Sequence, residues 1–405
     1  MSKIYLGMTS GYGPLAQALP ITNILKEEKK HDIVCNMFEG ESRKILGQLG
    51  YKLRDMKKTA KKPESIIPSG REWWNMGYFF GRLGYLDYEY VDYLVSECIK
   101  FMRDEKIEAV ISVLDPIAAI SSKVLNIPLI SISQACFHPK KIYDRIRWWQ
   151  DMPEGLTDVT LVFNNILKKY SLPTLKASED LFESECTIIP SIKEFDPVTT
   201  DNSIYTGIMK WNDCEEKGSV LPSFKTNNDK TIFVYTGRME DSGGKSGVLL
   251  LDNIIEAFRN NNYNVFITTG VGELPDEYKN KTYPDNIIVS EWAAIDKVIY
   301  NVDMVIHHGG HGISLKTISA GKPSLVIPTH DEREFNARQI EKIGVGEFIL
   351  PDELDPDVLN TKISNIIDNE EIKHNISDLL SKIASEKYVG VHGAADIIDK
   401  FIRNN

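Results

Sequence analysis

Residues 302–320 constrain the fold more than any other stretch, because an apolar run there passes through glycines directly into a helical pattern. Residues 302–306 predict a buried parallel strand, His307-His308-Gly309-Gly310-His311-Gly312 a turn, and residues 313–320 a helix closed by Gly321 and Pro323. A strand that enters a helix this way leaves free backbone N–H groups and the positive end of a helix dipole aimed at one spot. With glycine there, no side chains stand in the way, and the spot suits phosphate.

Glycine-rich turns occur in many nucleotide folds, so the flanks decide the reading. Upstream, residues 287–292 form a strand pattern ending in Trp292; downstream, residues 323–328 form another, followed by Glu332, Asn336-Ala337 and Gly344-Val345-Gly346. This order resembles the donor-binding half of the UDP-glycosyltransferase-like family with the GT-B fold, most closely over residues 292–346. The resemblance implies two Rossmann-like α/β domains whose parallel sheets face a cleft. It further implies that Trp292 stacks on a nucleotide base and that His308 contacts the diphosphate. Gly309, Gly310, Gly312, Ile313 and Ser314 then supply the amides and hydroxyl at the helix start, and Glu332 meets the sugar hydroxyls. Arg333 stands where a glutamine is usual. Lys316 replaces the glutamate that relatives place on the ribose, exchanging an acceptor for a cation that could instead reach a phosphate or pair with Glu332. The alternatives from the residues alone are Trp292 as core and Lys316 on an exposed face.

A chain of 405 residues has material for two cored domains, and its net charge of -11 argues against a nucleic-acid partner. Cys35, Cys98, Cys136, Cys186 and Cys214 lack CxxC spacing, which fits buried thiols in a reducing compartment. No apolar run approaches a membrane span, and a strand pattern begins near residue 3, so a cytoplasmic location is expected.

In the first half, residues 3–9 read as a strand, 10–14 as a tight loop and 15–29 as a helix, with the next strand from residue 31. The loop, with Gly11, Tyr12 and Gly13, falls at the carboxyl edge of a parallel sheet, where open α/β folds bind ligands, and is assigned to the acceptor. Relatives carry a histidine here as general base; this chain has Pro14 at about that place. Residues 109–116 form a buried strand ending in Asp115, and residues 127–132 another. Asp115 is either the base, its pKa raised by desolvation, or merely the cap of the following helix. His138 is the alternative base.

A basic run (Lys52, Arg54, Lys57, Lys58, Lys61, Lys62) precedes the aromatic residues 73–80, and Trp148-Trp149 follow later. These three features fit peripheral contact with an anionic membrane, a pocket for an apolar acceptor, or a core behind a solvated loop.

Val162-Phe163 and residues 187–190 read as late strands of a first domain over residues 1–211; residues 212–230, polar and aperiodic, read as a linker. Residues 231–385 then form the nucleotide-sugar domain, and residues 386–405 a helix expected to return to the first. Gly237-Arg238 ends the first strand of that domain and is placed at the donor phosphate. Gly243-Gly244-Lys245-Ser246 is not a P-loop, since Met239 stands where its first glycine is required.

His307, His308 and His311 could suggest a metal, but strand alternation turns the first two to opposite sides, and Asp355-Pro356-Asp357 reads as a helix cap, so no metal and no cofactor are expected. The functional expectation is a metal-independent, inverting glycosyltransferase. It uses a nucleotide-diphosphate sugar, UDP or dTDP, and a small-molecule, glycan or lipid-linked acceptor. The alternatives are an epimerase or hydrolase of nucleotide sugars, or a non-catalytic sugar-nucleotide-binding subunit.

Overall fold

A computed structural model describes residues 1–9, 11–36, 41–54, 63, 76–140, 158–200, 203–209, 221–239, 246–259, 261–269 and 274–405. Among them, β1 (Lys3–Met8), β2 (Asp32–Asn36), β3 (Lys52–Arg54), β4 (Ala109–Val113), β5 (Leu129–Ile132), β6 (Cys186–Ile189) and β7 (Ser203–Tyr205) form one sheet, ordered β3-β2-β1-β4-β5-β6-β7. A second sheet is built from β8 (Lys230–Tyr235), β9 (Tyr263–Thr268), β10 (Ile287–Ser290), β11 (Met304–His307), β12 (Ser324–Val326) and β13 (Gly346–Phe348), in the order β10-β9-β8-β11-β12-β13. The strand pairs are parallel, for example Gly7 with Ser112 and Tyr235 with His307. Parallel sheets need cover on both faces, which is why β4 is buried throughout and apolar at every position but Ser112.

Strand order reverses between β1 and β4 in the first lobe and between β8 and β11 in the second. In such sheets the carboxyl ends of the two diverging strands leave a crevice. The loops after β1, β4, β8 and β11 are therefore the ones the topology exposes to a ligand.

The lobes are joined in several places. Ile192 and Phe195, which follow β6, sit in the core of the second lobe. At the far end of the chain, the helix Gly390–Asn404 packs on the helix Tyr12–Glu27 of the first. Ala394, Ala395, Ile398 and Ile402 join the core around β1, and burying each isoleucine is worth about 1.5–3 kcal/mol. Gly207, at φ 76, lets the ring of Tyr388 pass close to the main chain at this crossing.

Several expectations are corrected. Val162 and Phe163 lie in the helix Thr160–Lys169, because with Ile166 and Leu167 they repeat at helical spacing and bury one face. The first helix starts at Tyr12, so only Gly11 of the described loop residues stays outside it, with φ 141 and ψ 164, backbone angles open essentially to glycine. Of the expected linker, residues 212–220 lie outside the described residues. Leu221 and Phe224 pack against the second lobe, and Thr226 Oγ1 donates to Asn264 Oδ1 at 2.5 Å.

Of the described ends of the proposed membrane-contacting segments, the aromatic one is largely buried and the basic one, with Lys52 exposed, is engaged within the lobe. Met76, Tyr78 and Phe80 are buried, with Phe80 against Tyr85, Phe163 and Phe182. Arg54 lies over the Phe101 ring at 4.2 Å, and Lys52 pairs with Asp32 at 2.7 Å. Lys57, Lys58, Lys61, Lys62, Trp73, Trp74, Trp148, Trp149 and residues 243–245 lie outside the described residues. Among the described residues no helix is long and apolar enough to cross a membrane.

Candidate active site

β11 ends at His307, and the helix His311–Ser319 begins four residues later with Gly310 as its N-cap. No side chain caps this helix. The amides of Gly310, His311, Gly312 and Ile313 donate to no group among the described residues. Four unpartnered donors at a dipole's positive end are suited to an anion.

The turn is held from beneath by side chains to which the sequence reading gave no such role. The Gly309 N–H donates to His307 Nδ1 at 3.1 Å, and His307 Nε2 lies 3.4 Å from Ser324 Oγ. Burial pushes the His307 pKa down to about 3, so the ring is neutral, accepts at Nδ1 and carries its proton on Nε2. Asn336 Nδ2 donates to the Gly309 carbonyl at 2.8 Å. Gly309 has φ 85, and a Cβ there would meet the Arg333 carbonyl at 2.8 Å. Ser314, expected to offer its hydroxyl to phosphate, is buried and donates to the Gly310 carbonyl at 2.9 Å.

His308 is clasped by two glycines. A Cβ on Gly237 would lie 3.1 Å from its ring, and one on Gly310 only 2.6 Å from Nε2. Gly312 has nothing within 4 Å of where its Cβ would be, nor has Gly13 in the first lobe. Cations flank the turn: Arg333, 9 % exposed, donates to Thr329 Oγ1 at 2.6 Å, while Arg238 is exposed. The charges of both act on the hydroxyl of the half-buried Tyr235, whose ring is 5.4 Å from that of His308.

Trp292 stands just beyond β10 and is 50 % exposed, so it belongs to the surface rather than the core. Lys316 takes a partner that the sequence did not suggest, Asp296, at 2.5 Å.

The first lobe faces this turn. The Arg238 guanidinium lies 5.7 Å from the centre of the Tyr12 ring, and the helices that start at Tyr12 and His311 are in contact. His311 Nε2 is 2.8 Å from Asp196 Oδ2 of the first lobe. Burial disfavours a charged imidazole there, but the Asp196 carboxylate outweighs it, and the His311 pKa is raised. Glu332, raised by burial against the pull of His311 and Arg333, is hydrogen-bonded by Gln134 of the first lobe.

Asp115 serves as a cap and is also perturbed as a base would be. Its Oδ1 accepts from the amides of Ile117 and Ala118 at 3.0 and 3.1 Å. The residue is 8 % exposed, and burial pushes its pKa up to about 6, against those two hydrogen bonds. Leu114, at φ 57, adopts a left-handed conformation that turns the chain into this position. Gly7 on β1 leaves room for the carboxylate, since a Cβ there would be 2.6 Å from Oδ2. His138 is buried with its pKa pushed down to about 4, and its Nδ1 accepts from the Lys140 amide at 2.9 Å. Gly11 exchanges hydrogen bonds with Ser42, its N–H reaching Oγ at 2.9 Å. The three histidines of the turn go to three different partners, and among the described residues no cluster of three or more His, Cys, Asp or Glu side chains suits a metal ion.

Two parallel sheets with a glycine-rich helix start at one switch point and a buried carboxylate at the other define the class: this is a two-lobed GT-B fold. Within it, residues 263–389 match the family described as erythromycin biosynthesis protein CIII-like, C-terminal domain. The solved glycotransferase of kitacinnamycin superposes with a TM-score of 0.71 over 98 % of each chain at 15 % identity. The calicheamicin glycosyltransferase CalG4 gives 0.70 over 100 % of this chain and 99 % of that one, also at 15 % identity. Likeness at that identity establishes the fold. In sequence, the NDP-glycosyltransferase YjiC of Bacillus licheniformis is 25 % identical over 148 residues, 36 % of each chain. Demethyllactenocin mycarosyltransferase of Streptomyces fradiae is 23 % identical over 145 residues, 36 % of this chain and 31 % of that one. The matched stretch thus spans about a third of these curated relatives.

Proposed function

We propose that this protein is a glycosyltransferase that moves a sugar from a nucleoside diphosphate to an acceptor hydroxyl or amine. The observation that carries the reading is the row of unpartnered amides from Gly310 to Ile313, opening toward the lobe that holds Asp115. The diphosphate binds those amides beside His308, with Arg238 and Arg333 offsetting its charge, while the base stacks on Trp292. Glu332 receives the sugar hydroxyls.

Across the crevice, Asp115 takes the acceptor proton as the acceptor oxygen or nitrogen attacks the anomeric carbon. The bond from that carbon to the diphosphate oxygen breaks, and the nucleoside diphosphate leaves with the electron pair. Attack opposite the leaving group inverts the configuration. Asp115 is favoured over His138 because its pKa lies near 6, within a base's working range, whereas the buried His138 ring already accepts a main-chain hydrogen bond at Nδ1. Gly11, Tyr12 and Gly13 border the acceptor space, and the open face of Gly13 supports that placement. The reaction requires no metal in this scheme, since amides, dipole and cations hold the leaving group. The protein acts in the cytoplasm, in keeping with the buried free thiols of Cys35, Cys98 and Cys186.

The test is product analysis with UDP- and dTDP-sugars and a panel of hydroxylated acceptors. Acceptor-dependent release of nucleoside diphosphate, abolished by Asp115→Asn with donor binding intact, supports the reading. Acceptor-independent epimerisation, or binding without turnover across the panel, contradicts it.

A further inference from the structure

Asp196 belongs to the first lobe, yet it is fastened into the donor turn of the second. It is fully buried, and each of its polar groups has a partner. Oδ1 accepts from the Ala135 amide at 2.8 Å, Oδ2 meets His311 Nε2 at 2.8 Å, and its carbonyl accepts from the Tyr205 hydroxyl at 2.7 Å. A carboxylate without water is costly unless a cation matches it, and His311 is its only ion-pair partner among the described residues. That cation sits in the first turn of the helix His311–Ser319, where the dipole disfavours positive charge. The arrangement is favourable where anions gather: Asp196 is one, and His311 also acts on the carboxyl of Glu332.

We infer that Asp196 is a positioning residue for the second lobe's diphosphate site, acting through His311: it fixes the imidazolium beside the turn, so that the first lobe completes the charge of the site. This rests on the diphosphate reading above and adds to it that the anion site is not self-contained in the second lobe. Gln134, hydrogen-bonded to Glu332, ties the neighbouring acid to the same lobe.

The experiment is calorimetry on the full chain with two probes, UDP or dTDP, whichever binds more tightly, and the matching nucleoside. The variants are D196N, H311Q and the double substitution. A positioning role predicts that D196N weakens the nucleoside diphosphate roughly tenfold, the equivalent of one charge-assisted contact, and the nucleoside less than twofold. H311Q, which keeps a polar side chain but no charge, should show the same selective loss, and so carries the test if D196N does not fold. The double variant should be no worse than H311Q. Equal weakening of nucleoside and diphosphate, or no change in either, overturns the role while leaving the donor site standing. Failure of the wild-type chain to bind any nucleoside diphosphate overturns both.

Discussion

Gly237 and His308, at the ends of neighbouring strands β8 and β11, are fitted to each other: the imidazole lies against the glycine's main chain, where a Cβ would come within 3.1 Å of the ring. Gly310 closes the other side at 2.6 Å from Nε2. The ring's position beside the free amides therefore depends on glycine at both places.

Two alanine substitutions in the same turn should behave oppositely. Gly310→Ala displaces His308 and is expected to weaken nucleoside diphosphate binding about tenfold, with a stability cost of roughly 1–3 kcal/mol from overpacking. Gly312→Ala meets no protein atom within 4 Å and lies inside the helix, so it should raise stability by about 0.5–1 kcal/mol while still weakening the ligand, whose space the methyl enters. Chemical denaturation and calorimetry on both variants check the contrast. Equal destabilisation by the two would refute it.

Asp115 gives a pH signature with a definite sign. Its folded pKa, about 6, lies above the ordinary aspartate value, so the folded state holds a proton that the unfolded chain has released. The stabilisation is complete below about pH 4 and lost as pH rises to about 6, an effect of roughly 2–3 kcal/mol. Asp115→Asn keeps the cap and removes the titration. Its stability relative to wild type should therefore improve between pH 4.5 and pH 8 in urea melts, and a constant difference would mean that the carboxyl is not perturbed.

His307 has the opposite sign. Its depressed pKa means that the unfolded chain binds the extra proton, so its contribution is present above about pH 6.5 and declines as pH falls toward 3. NMR titration of the ring should show no protonation of His307 between pH 5 and 7. A midpoint near 6.5 would contradict the Gly309 hydrogen bond described above.

Much of this was readable in the chain, for physical reasons. Parallel strands buried on both faces leave continuous apolar runs, so residues 109–113 and 304–307 announce themselves, and the glycines after His308 mark where the main chain must stay bare. Val162-Phe163 misled because two adjacent apolar residues fit either period; only the helix's packing partners decide. Lys316 with Asp296, Gly7 beneath Asp115, and Asp196 against His311 join residues 20, 108 and 115 positions apart, and no local pattern encodes such pairings. A glycine next to the carboxyl end of β1 was the one available hint for Gly7.

Trp292 should contribute to binding without contributing to stability. Half exposed, it can be replaced by alanine with a change in melting temperature of no more than a degree or two, while loss of base stacking should cost about 1–3 kcal/mol in nucleotide affinity. Fluorescence quenching of the indole by the nucleotide checks the contact directly. A destabilised variant with unaltered affinity would make Trp292 a structural residue.

The most direct test of the diphosphate site is a crystal structure with UDP or dTDP bound. Phosphate oxygens should lie within hydrogen-bonding distance of the amides of Gly310 to Ile313, with His308 alongside and the base on Trp292. A diphosphate held elsewhere, with those four amides still unpartnered, would contradict that site.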